Sequence, residues 1–226
     1  MRKFIAKRLR RLARRIWPPP RCIICGSEKF KAGPHDRMSE SGKLPKCSRC
    51  RSMERHRAFH KIFLRIGVEE LKSLRCLQFS KDPTVIPRWF GHFERSIYGE
   101  SNSLDLQAID RSDASYDVII CNHVLEHVPD YRAALRELGR VLNAHGFLLL
   151  SFPDPYHLEK TVDWGYPKPE EFHHYRNFGR DIEPVVTELM PGCHLLPVIE
   201  RDDVTGIADM AYVVTRNRHW LDRLKR

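Results

Sequence analysis

No stretch of this 226-residue chain approaches the roughly 20 consecutive apolar residues of a membrane-spanning helix, and its mean hydropathy is −0.48. The opening MRKFIAKRLRRLARRIW has no continuous apolar core and does not read as a secretory signal. Glycine is scarce at 12 residues, and aromatics make up 10%, which excludes collagen-like and wholly disordered chains. Acidic residues are missing from the first 20 positions, which hold eight Lys and Arg. Residues 66–215, by contrast, carry 14 Lys and Arg against 24 Asp and Glu, within an overall net charge of +10. A basic front end therefore precedes an acidic body, and any polyanionic partner should meet the front.

Residues 1–17 have helical periodicity, with Ile5, Leu9, Leu12 and Ile16 on one stripe and Trp17 beside it. Pro18, Pro19 and Pro20 end it as a stiff spacer. Such a helix suits an anionic membrane surface, self-docking onto the acidic body, or nucleic-acid phosphate, in that order.

Seven cysteines without an export signal imply a reducing compartment. Cys22 and Cys25, then Cys47 and Cys50, form two CxxC pairs separated by 21 residues. Each pair presents two thiolates to one ion, so the quartet predicts a closed, structural zinc ribbon. Cys76, Cys121 and Cys193 sit in apolar runs and read as small buried hydrophobes.

Beyond Met53–Ile66, which turns helical, strand-like and helix-like segments alternate. The candidate strands are Leu74–Phe79, Arg95–Glu100, Leu104–Asp110, Asp117–Asn122, Gly146–Pro153, Leu195–Glu200 and Met210–Thr215. Helices are expected at Asp130–Leu142 and Ile182–Met190, with a long polar loop or lid over residues 154–177. The pattern predicts an α/β doubly wound, mostly parallel seven-stranded sheet. The expected division is a basic helix and linker at 1–20, a ribbon at 21–52 and a main domain at 53–226.

Tyr116-Asp117, the apolar strand after it, LEHV at Leu125–Val128, a helix ending RVL and a turn into the next strand make up a specific 39-residue block, residues 115–153. This block resembles the class I S-adenosylmethionine-dependent methyltransferases, of the type 11-like group. With SMERHR after the second cysteine pair and HHYRNFG at His173–Gly179, it resembles a subgroup in which a zinc ribbon precedes a Rossmann-like transferase domain. The family turn Pro-Gly-Gly is here Asn143-Ala144-His145-Gly146, and the Gly-x-Gly-x-Gly loop after the first strand is replaced by LQFSKDPT.

The resemblance implies S-adenosylmethionine as cofactor, lying across the carboxyl ends of the strands. By position it places Phe79, Ser80 and Asp82 at the methionine moiety and Glu100 at the ribose hydroxyls. Asp110 and Arg111 fall beside the adenine, and Asn122 and His123 at the sulfonium. His123 is the candidate general base for a hydroxyl acceptor. His123, Glu126 and His127 do not make an HExxH motif, so no catalytic metal is expected there. The expected activity is methyl transfer to a small molecule or glycan, at oxygen, by a cytoplasmic enzyme whose basic helix can touch the inner membrane face. The alternatives are an RNA methyltransferase with a zinc-ribbon reader and a catalytically dead zinc-ribbon adaptor.

Overall fold

The computed structural model describes residues 19–153 and 155–225. The expected basic helix at 1–17 lies outside the described residues. Among them, no helix is long and apolar enough to cross a membrane.

The front of the described chain is a small hairpin, β1 (Phe30–Lys31) antiparallel to β2 (Lys46–Cys47). Helix α1 (Glu54–Ile66) follows. The body is a six-stranded sheet of β3 (Arg75–Phe79), β4 (His92–Ser96), β5 (Tyr116–Asn122), β6 (Leu142–Ser151), β9 (His194–Arg201) and β10 (Ala208–Thr215). Its spatial order is β4-β3-β5-β6-β10-β9. The first four pair in parallel, and β10 runs antiparallel to both β6 and β9. Between β6 and β9 stands a separate antiparallel hairpin of β7 (Val162–Lys168) and β8 (His174–Asn177), over the segment expected to be a lid.

The central strands are continuous apolar runs because both faces of the sheet are covered. Ile119, Cys121, Leu148 and Leu150 face α2 (Tyr131–Val141) and α3 (Ile182–Leu189). Val118, Ile120, Phe147 and Leu149 face α1 and α4 (Arg218–Leu224). Cys76, Cys121 and Cys193 are all buried, as small hydrophobes should be. Gly146 is required where it stands, since a Cβ there would come within 2.2 Å of the Asp117 carbonyl oxygen. It belongs to β6, in the bulged stretch between the Tyr116–Leu142 and Val118–Phe147 pairs, rather than to a turn between helix and strand.

Six strands, not seven, form the sheet among the described residues, because Leu104–Asp110 does not join it. Side chains satisfy its backbone instead of a ladder. Glu137 accepts from the Ile109 N–H at 2.8 Å, and Arg140 donates to the Ile109 and Arg111 carbonyls, each at 2.8 Å. Leu106 and Ile109 still bury their side chains in the core. The expected strand at Arg95–Glu100 also ends early, at Ser96. There Ile97–Glu100 closes a turn through the Glu100 N–H to Ile97 carbonyl bond, with Gly99 at φ +76°.

A buried ion pair ties helix α1, which follows the hairpin module, to the turn after β9. Arg57, on α1, donates to Asp202 through Nε and Nη2 at 2.8 and 2.7 Å, and both side chains are 1% exposed. The same guanidinium donates to the Ser52 carbonyl at 2.8 Å and lies over the Phe30 ring. Burial raises the Asp202 carboxyl, but the Arg57 hydrogen bonds and charge outweigh it and hold the group below its ordinary 3.8. A depressed carboxyl stabilises the fold above its unfolded-state pKa and loses that contribution as pH falls through the folded one. Asp202→Asn should therefore lower the unfolding free energy near neutral pH by about 3–5 kcal/mol, because it leaves Arg57 buried and unpaired. Urea unfolding at several pH values should also show a shallower acid slope in the variant than in the parent below about pH 4.

Candidate active site

The parallel strands β3, β5 and β6 end at one edge of the sheet, and a buried hydrogen-bond chain holds those ends together. Ser151 Oγ, on β6, donates to Asn122 Oδ1 at 3.0 Å, and Asn122 Nδ2, on β5, donates to Asp82 Oδ2 at 3.0 Å. Asp82 follows β3, and its Oδ1 accepts from the Thr84 N–H at 2.7 Å. Asn122 and Asp82, both expected at the cofactor, are 2% and 4% exposed and do not line the cleft.

In front of this chain opens a cleft of about 780 Å³, within the size range of small-ligand sites. Its floor is Phe79 and Ser80 at the end of β3, Ser96–Tyr98 after β4, and His123 after β5. Asp105, Leu106 and Gln107 close one side, and His127, Pro129 and Tyr175 the other. Ser80 has φ +69° and His123 φ +52°, both in the left-handed region. Each turn is pinned by a bond to the neighbouring strand, Ser80 N–H to the Ser96 carbonyl at 2.9 Å and His123 N–H to the Ser151 carbonyl at 2.8 Å. Ser80 thus takes up without glycine the backbone conformation that glycine adopts most readily.

Glu100, Asp110 and Arg111 do not line the cleft. Glu100 is on the rim, paired with Lys81 Nζ at 2.6 Å, because β4 ends four residues before it. Arg111 is committed to Glu94, at 2.5 Å, and that carboxylate also accepts from the Tyr116 hydroxyl. Asp110 is exposed, with its carbonyl taken by Arg111.

A second cavity of about 500 Å³ lies on the other side of His123. It is half polar and half apolar, with Arg37, Glu40, Glu54, Arg55 and His157 alongside Ile199, Ile207 and Met210. His123 borders both cavities. Its Nδ1 is 3.7 Å from Glu126 Oε1, and its Nε2 is buried without a protein partner. Burial first, then the nearby charges of Arg55 and the neighbouring histidines, hold this imidazole well below 6.5.

Two buried residues stand behind the lining of the cleft. Glu126 is fully buried with neither oxygen hydrogen-bonded, and burial pushes its carboxyl up to about 8. Arg176, 2% exposed, donates to the Val128 and Pro129 carbonyls and to Asp163, fastening the β7–β8 hairpin beside the Leu125–His127 turn. A charged residue inside the apolar run Val124-Leu125-Glu126-His127-Val128 was the available signal for Glu126. Arg176 lies in the HHYRNFG stretch that carries the resemblance, but its bonds to backbone carbonyls of a distant turn leave no trace in the sequence.

At the front of the chain, the sulfurs of Cys22, Cys25, Cys47 and Cys50 all lie within 4.8 Å of one another. The Cys22–Cys50 and Cys25–Cys47 separations are 3.6 and 3.5 Å. A tetrahedral ion with sulfur bonds near 2.3 Å sets an edge of about 3.8 Å, so the quartet could hold zinc. The knuckles are built as that requires, with the Gly26 N–H on the Cys22 carbonyl and the Arg51 N–H on the Cys47 carbonyl. Burial raises the Cys47 thiol, but the Cys50 and Arg49 backbone N–H groups outweigh it and bring the thiol to about 7.

A mostly parallel α/β sheet with a ligand-sized cleft at its carboxyl edge defines a class of proteins that bind nucleotide-like cofactors. Residues 51–182, more than half of the chain, match the family described as a methyltransferase domain, and the chain belongs to that family as an S-adenosylmethionine-dependent methyltransferase. Among solved structures, an S-adenosylmethionine-dependent methyltransferase from Mesorhizobium loti is 11% identical, with a TM-score of 0.49 over 68% of this chain and 94% of that one. One from Thermotoga maritima is 14% identical, with a TM-score of 0.43 over 70% and 88%. The trans-methyltransferase CalH, in complex with SAH, is 12% identical, with a TM-score of 0.45 over 70% of this chain and 57% of that one. No curated protein sequence matches.

The left-handed Ser80 turn yields a direct test. Ser80→Gly should leave S-adenosylhomocysteine affinity within about twofold, because glycine accepts positive φ freely. Ser80→Val should weaken it at least about tenfold, since a β-branched residue resists that conformation. Calorimetric titration of both variants measures the difference.

Proposed function

We propose that this methyltransferase acts on a hydroxyl oxygen of a small polar molecule or of a glycan sugar, with the cofactor in the larger cleft and the acceptor in the smaller cavity. The observation that carries this reading is the position of His123, the side chain common to both cavities. When bound, S-adenosylmethionine supplies a methyl group made electrophilic by a sulfonium sulfur. The residues that would hold it are the Phe79–Lys81 turn, Ser96–Tyr98 and Asp105–Gln107. Much of the rate then comes from holding two reactants in line and excluding water.

A proton on His123 Nδ1, facing the Glu126 carboxyl, leaves the Nε2 lone pair free to accept the hydroxyl proton of the acceptor. Burial supports this role by keeping the ring neutral. The mixed cationic and acidic lining of the smaller cavity suits an acceptor rich in hydroxyl groups.

We read the cysteine quartet as a structural zinc site, with residues 21–52 as a ribbon module ahead of a transferase domain at 53–226. Residues 1–17 would hold the enzyme at an anionic membrane surface on the cytoplasmic side.

Two measurements test the reading. In a screen of sugars and polyols for S-adenosylhomocysteine release, His123→Asn should lower kcat by on the order of 10²–10⁴ while leaving cofactor affinity close to that of the parent. Loss of cofactor binding instead would assign His123 to the cofactor alone, and turnover on RNA with none on hydroxylated small molecules would overturn the acceptor class. Cys47→Ser should reduce bound zinc by one ion per chain and lower the Tm, as expected where metal binding is coupled to folding.

A further inference from the structure

The geometry points to a divalent-cation site in the wall of the larger cleft, held by Glu126, His127 and His174, for a first-row transition ion. Three observations converge on it. Ligand atoms of these three side chains lie within 4.8 Å of one another, although they come from two separate elements, the turn after β5 and strand β8. Glu126 is 0% exposed, and neither of its carboxylate oxygens has a hydrogen-bond partner. A buried polar group without a partner costs on the order of 1–3 kcal/mol, and more if charged. Protonation alone would not relieve it, because the nearby ring nitrogen, His123 Nδ1, stands 3.7 Å from Oε1, beyond hydrogen-bond reach. A cation satisfies both oxygens at once.

The third observation is the way the imidazoles are oriented. Asn177 Nδ2 donates to Glu171 Oε2 at 3.3 Å, which fixes the amide and turns Asn177 Oδ1 toward His174 Nδ1, 3.2 Å away. An amide oxygen only accepts, so His174 Nδ1 carries the proton and Nε2 keeps its lone pair. His127 is likewise hydrogen-bonded through one ring nitrogen to the His173 backbone. Histidine ligands of metals are oriented in this way, each giving one N–H to an acceptor and presenting the other nitrogen to the ion. Arg176 makes the arrangement rigid, since its bonds to the Val128 and Pro129 carbonyls fasten the element carrying His174 to the one carrying Glu126 and His127.

Two imidazoles and one carboxylate suit manganese, iron(II), cobalt or zinc, and they leave coordination positions open. His127 is exposed and lines the cleft, so those positions face the ligand space. A hydroxyl reaching the ion from the smaller cavity past His123, the side chain shared by both cavities, would be acidified and aligned, with His123 to take its proton. That use rests on the reading of the cleft as the site of methyl transfer, whereas cation binding itself does not. The HExxH spacing is absent because the third ligand comes from a distant hairpin.

The test uses the full-length protein with its cysteine quartet loaded with one equivalent of zinc. Titration with manganese(II) chloride alone, read by the electron paramagnetic resonance of the free ion, should show one manganese site per chain. Its affinity should fall at least about tenfold in Glu126→Gln and in His127→Asn. The latter changes an exposed side chain, and its thermal unfolding checks that the fold is intact. No bound manganese in the parent, or equal affinity in parent and both variants, would overturn the site. Titration of the same parent sample with S-adenosylhomocysteine reports on the transferase reading separately. Manganese binding without homocysteine-cofactor binding would keep the ion site and remove its role in methyl transfer, and the reverse would remove the ion site alone.

Discussion

Everything at the carboxyl edge of the sheet depends on Asn122 being unable to reach water. Buried at the end of β5, its amide must find partners inside the protein, and it finds them on both flanking strands, Ser151 on one side and Asp82 on the other. Three strand ends are thereby held in register. The left-handed residues that follow two of them, Ser80 and His123, can then turn toward the cleft from fixed points. Without this polar chain the strands would still pack through their apolar faces, but nothing would set where each one stops.

The apolar body was legible in the sequence, and its polar rim much less so. Asp117–Asn122 and Gly146–Ser151 read as buried strands because their runs match sheet covered on both faces, and they form the centre of the sheet. Leu104–Asp110 has equally alternating residues, yet Glu137 and Arg140 take its backbone groups before another strand can. Side chains from a helix some thirty positions later leave no local trace at the segment they capture. Asp110 and Arg111 follow that captured segment and Glu100 follows the early turn at Gly99, and none of the three lines the cleft.

The missing glycines after the first strand illustrate the opposite case. Glycine is a convenience for positive φ, not a requirement, and Ser80 adopts that conformation with its N–H bonded to Ser96. Gly146 cannot be replaced in the same way, because there the limit is contact with the Asp117 backbone rather than dihedral freedom. Glu126 and His174 show why a site built across elements escapes motif reading. Each falls in a stretch that carries the family resemblance, LEHV and HHYRNFG, but no spacing joins the two, and only the fold, fastened by Arg176, brings them together.

Among the described residues no strand lies beyond β4, and this has a consequence for how these molecules meet one another. An exposed sheet margin is a template for another chain to add to, and proteins that leave one open blunt it. Here the outermost strand is five residues long and carries His92, Glu94 and Arg95. Its Arg95 carbonyl is already occupied by Asn102. At the opposite margin, β9 includes Pro197, which has no N–H to offer. A sheet one strand shorter than expected is thus guarded at both margins against growing into its neighbours.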